Sequence, residues 1–117
     1  MEKTQAVKVF VDNGYHISRE TQKVVEFVAP TSGRVVYLRL DSGLPNHVRV
    51  VVDPAFEADA LFGLDGISRP RISSQCGTNM NRFPKKLNKG AKQIHYGTPI
   101  DATTLGSLDR LLAAYAS

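Results

Sequence analysis

Val35-Val36-Tyr37-Leu38-Arg39-Leu40 is followed, six residues later, by His47-Val48-Arg49-Val50-Val51-Val52. In the first run Val36, Leu38 and Leu40 fall on one side, and Val35, Tyr37 and Arg39 on the other. In the second, Val48, Val50 and Val52 oppose His47, Arg49 and Val51. Side chains alternate across a strand, so this period of two in β-branched residues predicts two strands. The short link Asp41-Ser42-Gly43-Leu44-Pro45-Asn46 makes them neighbours in an antiparallel meander. One face is apolar and the other carries Arg39, Arg49 and His47, the pattern of a sheet with one wet side.

Working outward, residues 23–28 supply Val24, Val25, Phe27 and Val28 to a third strand, joined through the turn cluster Pro30-Thr31-Ser32-Gly33. Upstream, Ala6, Val7, Phe10 and Val11 keep the i, i+3, i+4 spacing of a helix, and Asn13-Gly14 stops it. Tyr15-His16-Ile17 reads as a short strand entering a turn over 18–21. Downstream, Asp53 and Pro54 suit the N-cap and first position of a short helix over 55–61, with Phe56, Ala60 and Leu61 inward. Residues 64–93 are the least regular, and 68–81 lack any periodicity. Loops of that length in compact domains carry function or are mobile. Ile94-His95-Tyr96-Gly97 reads as a short strand entering a Thr98-Pro99 turn. Leu105, Leu108, Leu111, Leu112 and Tyr115 stripe a last helix, capped by Asp101, Thr103 or Thr104. The expectation is a single α+β domain over 1–117, its antiparallel sheet flanked by N- and C-terminal helices, with a long basic irregular segment at about 64–93.

With 117 residues, 42% hydrophobic and 22% charged, the chain has ordinary globular composition. Cys76 is the only thiol, which excludes an intramolecular disulfide and a multi-cysteine zinc site. No apolar run approaches the ~20 residues of a membrane span. Met1-Glu2-Lys3-Thr4-Gln5 leads into no continuous apolar segment, so the expected location is cytoplasmic, with no membrane partner.

The charge is uneven. Arg69, Arg71, Arg82, Lys85, Lys86, Lys89 and Lys92 lie in a stretch without Asp or Glu. The chain has 15 basic and 11 acidic residues, so everything outside that stretch is net acidic. Like charges repel, and such a cluster is best tolerated beside solvent or an anionic partner.

Nucleophile motifs are missing. Cys76, Ser73 or Ser74 with His95 as base would need hydrogen-bond reach and an orienting third group, and no known signature surrounds them. His16, His47 and His95 lie on different elements without metal-ligand spacing. Gly63-Leu64-Asp65-Gly66 lacks the Lys-Ser/Thr of a phosphate loop and reads as a turn. No catalytic residue, metal or cofactor is therefore expected.

A set of short motifs in a fixed order adds a resemblance. Thr21-Gln22-Lys23 precedes a strand, Val36-Tyr37-Leu38 lies within one, and Val50-Val51-Val52-Asp53-Pro54 ends another. Phe83-Pro84 follows the irregular loop, and His95-Tyr96-Gly97-x-Pro99 precedes the leucine-striped helix. In these the chain resembles the YgaC family of small uncharacterised bacterial proteins. The resemblance implies a compact α+β domain of secretion-chaperone-like architecture and transfers no activity. The basic 82–92 stretch departs from the family pattern.

The leading expectation is a non-enzymatic binding protein that engages a polyanion, most simply nucleic acid. Arg69, Arg71, Arg82, Lys85, Lys86, Lys89 and Lys92 would meet phosphates. Phe83 would stack on bases, with His95 and Tyr96 as accessory contacts. For His95-Tyr96-Gly97 an architectural role is favoured over ligand contact. The alternative is a protein-interaction module, an immunity or adaptor protein, using the acidic residues Asp53, Glu57, Asp59 and Asp65 or the sheet. The partner is then nucleic acid or an acidic protein, and the oligomeric state is open.

Overall fold

The computed structural model describes residues 2–40, 47–88 and 92–117; the 41–46 connection and Lys89 lie outside them. The chain runs α1 (Lys3–Asp12), β1 (His16–Glu20), β2 (Val24–Val28), β3 (Val35–Arg39) and β4 (Val48–Val52). A 3-10 helix (Ala58–Gly63) follows, then β5 (Ile67–Ser68), β6 (Gln75–Cys76), β7 (Lys85–Asn88), β8 (Lys92–Ala102) and α2 (Leu105–Ala116). The strands form one antiparallel sheet in the order β1-β2-β3-β4-β8-β5, with β6 and β7 also on β8. This is an α+β fold with a helix at each end. Among the described residues no helix is long and apolar enough to cross a membrane.

The valine runs pair as their alternation requires: Leu38 lies opposite Val50, and Val36 opposite Val52. Their apolar side packs with Phe10 of α1 and with Leu108, Leu111, Leu112 and Tyr115 of α2 in one buried cluster. Phe10 stacks on Phe27 at 4.0 Å. Tyr15 and Tyr115 bury their rings there and keep their hydroxyls bonded, Tyr15 to the Leu112 carbonyl and Tyr115 to the Val35 carbonyl, both at 2.7 Å. Burial pushes the Tyr115 hydroxyl up to about 12.

Several local expectations are corrected. Val11 is exposed, because the inward face of α1 narrows to Ala6 and Phe10. After Gly14, at φ +84°, the chain continues as β1 through Glu20 rather than turning at 18–21, absorbing an irregularity between Ile17 and Arg19. Asp53 does not start an α-helix: its carboxylate accepts from the Ala55 N–H, and a 3-10 helix follows that buries Ala58 and Leu61, leaving Ala60 exposed. Thr104 is the cap of α2, through Ser107, whereas Asp101 is committed elsewhere. The irregular 64–93 segment contains three short strands. The expected turn at Thr98-Pro99 is the middle of an eleven-residue strand.

The second face of the sheet is not wet throughout. Residues 77–84 fold across it, and Met80 and Phe83 join Val24, Val35, Tyr37 and Val51 in a second buried cluster. If α2 is seated as described, Leu108→Ala leaves a cavity in the first cluster. It should cost about 2–5 kcal/mol, read as a lower denaturation midpoint.

Candidate functional site

Strand β8 organises the basic segment because its backbone bonds to both sides. Tyr96 donates its N–H to the Pro84 carbonyl at 3.0 Å, toward β7. The His95 carbonyl accepts from the Gly77 N–H at 3.0 Å, and Thr103 donates to the Gly66 carbonyl at 2.9 Å, toward β6 and β5. Successive residues alternate, so odd-numbered residues of β8 face the β5 and β6 edge. Ser68 ends β5 opposite Asp101, and Gln75 begins β6 opposite Gly97. Between them stands Pro99, which has no N–H to offer a partner strand. Residues 69–74 accordingly bow away from the edge there, carrying Arg69 and Arg71 outward.

The opposite end of β8 forms an arm. Lys85 pairs with His95, Lys86 with Ile94, Leu87 with Gln93 and Asn88 with Lys92. Strand β4 ends at Val52 opposite Thr98, so it does not flank this hairpin. Cross-strand partners share a face. Lys86 and Lys92 therefore share one face with Ile94 and Tyr96, and Lys85 shares the other with Leu87, Gln93 and His95. Lys85 and Lys92 are exposed, and Leu87 is 63% exposed. The Lys86 ammonium donates to the Ser74 hydroxyl and lies 4.9 Å from the centroid of the Tyr96 ring.

The six described basic residues thus do not make one patch. Asp101, beside the arginines, is eight positions along β8 from Gln93 in the arm, about 26 Å at strand rise. Between these ends sits Arg82, whose backbone N–H donates to the Tyr37 hydroxyl at 3.1 Å and whose guanidinium lies 3.8 Å from Glu26. Lys89 is outside the described residues.

Phe83 is corrected outright. It is 3% exposed and meets Tyr37 edge-on at 4.9 Å, so it presents no ring to a base. Below it lies a polar group that sequence reading passed over. Glu26 is 4% exposed, accepting from the Tyr37 hydroxyl and from the Ser18 hydroxyl, both at 2.6 Å. Burial, reinforced by the bond to Glu26, raises the Tyr37 hydroxyl well above its ordinary value. An alternating strand marks Glu26 only as lying opposite Val25 and Phe27; the 77–84 cover that buries it arrives from far along the chain.

The His95-Tyr96-Gly97-x-Pro99 motif acquires a structural account residue by residue. His95 Nδ1 bonds the Phe83 carbonyl at 2.7 Å. Tyr96 lies beneath Lys86, and Pro99 opens the edge. Gly97 lets the layers meet: a Cβ there would lie 2.5 Å from Val51, 2.7 Å from the Val52 carbonyl oxygen and 2.8 Å from Phe83.

Sequence reading also missed the pairing of Arg49 with Asp101, at 2.8 and 3.0 Å through two nitrogens. That hydrogen-bonded contact raises the Arg49 guanidinium further above its ordinary value. The two residues are opposite one another in β4 and β8. Of the acidic set, Asp59 lies 3.6 Å from Arg69, and both side chains remain exposed. Among the described residues no three of His, Cys, Asp and Glu gather into a metal-holding group. No family model matches the chain, and no curated protein matches it in sequence.

Two outcomes test this anatomy. Phe83→Ala should lose about 3–5 kcal/mol of stability with or without a polyanion present, measured by thermal or urea unfolding. Gly97→Ala should lose about 1–3 kcal/mol through overpacking, although alanine is the smaller change chemically.

Proposed function

We propose that this chain is a non-enzymatic cytoplasmic protein that binds a polyanion, most simply nucleic acid, by the β7–β8 arm. The supporting observation is the arm itself. It is a two-stranded ribbon beyond the end of β4, with Lys85, Lys86 and Lys92 on its faces and no carboxylate in its sequence. A two-stranded ribbon fits the major groove of a duplex, about 12 Å wide. Lysines along it would neutralise phosphates and release counterions, whatever the base sequence. Duplex is favoured over single strand because Phe83 is buried and Tyr96 is covered on one side by Lys86, which leaves few rings for stacking. The ordered motifs support placing the chain with the YgaC family, and that placement adds no activity to the reading.

The alternative, a protein-interaction module, is favoured by β1. All five of its residues are exposed, and among the described residues it pairs only with β2, leaving an edge that a partner's strand can extend.

Fluorescence anisotropy with a labelled DNA duplex over a salt series distinguishes them. Changing Lys85, Lys86 and Lys92 together to Gln should weaken binding alike across sequences. It should also flatten the plot of log affinity against log salt by up to about 0.9 per lost contact. No binding by the unaltered protein at about 50 mM salt would overturn the polyanion reading.

A further inference from the structure

The two faces of the β7–β8 arm are not equivalent. On one, Lys86, Ile94 and Tyr96 are half-buried, and the Lys86 ammonium is engaged by the Ser74 hydroxyl and the Tyr96 ring. On the other, His95 is tied to the body of the protein, its Nδ1 bonded to the Phe83 carbonyl at 2.7 Å. Lys85, Leu87 and Gln93 on that second face are exposed, and Leu87 stands directly opposite Gln93. At 63%, Leu87 is the most exposed large hydrophobic residue among those described. The side chains of Lys85 and Gln93 make no hydrogen bond or ion pair among the described residues. The second face is therefore the one the arm has free to present.

That face combines an amide, which both donates and accepts, with a branched alkyl group and an ammonium. The amide and the alkyl group match the major-groove edge of an A·T pair. Adenine shows N7 as acceptor and its N6 amino group as donor, and a glutamine amide meets both at once. Thymine adds a C5-methyl group open to apolar contact, which a G·C pair lacks. Residues 85–96 contain no Asp or Glu, the side chains that would accept from the cytosine amino group. The spacing also fits. Cross-strand partners hold their Cβ atoms about 5 Å apart. Base pairs rise by about 3.4 Å, so Gln93 and Leu87 reach one pair or two adjacent ones. Lys85 precedes Leu87 by two residues, about 7 Å along the strand, which is two base-pair steps.

We propose that the free face of the arm reads A·T pairs in the major groove of duplex DNA. Gln93 bonds adenine, Leu87 contacts the thymine methyl group, and Lys85 meets a flanking phosphate. The inference rests on the reading of the arm as a duplex binder. It adds a base preference to a phosphate affinity that carries no sequence information of its own.

The test measures affinity of the full chain, by fluorescence anisotropy at fixed salt, for four DNA duplexes of equal length. One is A·T, one is G·C, one is the A·T duplex with uracil for thymine, and one has 7-deazaadenine for adenine. The A·T duplex should bind about tenfold more tightly than G·C, the scale of one bidentate base contact. Uracil, which lacks only the methyl group, should lose about fourfold. Leu87→Ala should bind the thymine and uracil duplexes equally, and Gln93→Ala should bind the adenine and 7-deazaadenine duplexes equally. Both variants should keep the parent's G·C affinity and unfolding midpoint, which a merely structural role would shift. Equal affinity for all four duplexes, with steep salt dependence kept, overturns base reading and leaves the polyanion reading standing. An A·T preference that survives both base analogues places the contact in the minor groove and overturns the proposal, as does a preference for G·C. Absence of binding to every duplex at about 50 mM salt overturns both readings.

Discussion

The backbone of β8 hydrogen-bonds in two directions, and the rest of the molecule is arranged around it. Its C-terminal half lies between β4 and β5 and closes the main sheet, whereas its N-terminal half pairs with β7 to make the arm. A strand interior to a sheet must satisfy donors on both edges, and a residue without a donor interrupts one of them. Pro99 is that interruption. It stands on the edge where β5 has ended and β6 has not begun, so the six residues between them take the longer way round. Arg69 and Arg71 lie in that connection, on the edge where Pro99 offers no N–H.

The second face of the sheet solves a different problem. Residues 77–84 cover a surface that includes a carboxylate, and a buried charge without partners is strongly unfavourable. Glu26 is admitted because Tyr37 and Ser18 donate to its two oxygens and Arg82 approaches from outside. Tyr37 accepts in turn from the Arg82 N–H, which pins the covering segment to the strand beneath. Phe83 and Met80 then fill the remaining space. Polar satisfaction and apolar packing are here one arrangement, and Gly97 is the thin point that lets the layers touch.

Charge follows the same division. Where basic residues meet the body of the protein they acquire partners: Arg49 with Asp101, Arg69 with Asp59 and Phe62, Arg82 with Glu26. Where the chain leaves the body, at Arg71 and along the arm, charge is left over. Unmatched like charges repel across a short ribbon, and a polyanion relieves that repulsion in a way that a neutral surface does not.

The strands β2, β3 and β4 and the helix α2 were legible because alternation and helical spacing are local properties of the chain, and burial of one face is enough to select them. The density of cations between Arg69 and Lys92 was legible for the same reason, since it needs only counting. Three things were not. Thr98-Pro99 looked like a turn, because proline usually ends a strand; only an edge left bare by β5 and β6 lets it sit inside one. Phe83 looked like a free aromatic in a loop, and its burial depends on Tyr37, 46 residues earlier in the sequence. Arg49 and Asp101 looked unrelated until β4 and β8 became neighbours. Local spacing determines which elements form, because their geometry repeats every two or 3.6 residues. Which charges are matched, which ring is covered and where an edge stays open are decided by pairings between distant segments, to which no local period corresponds.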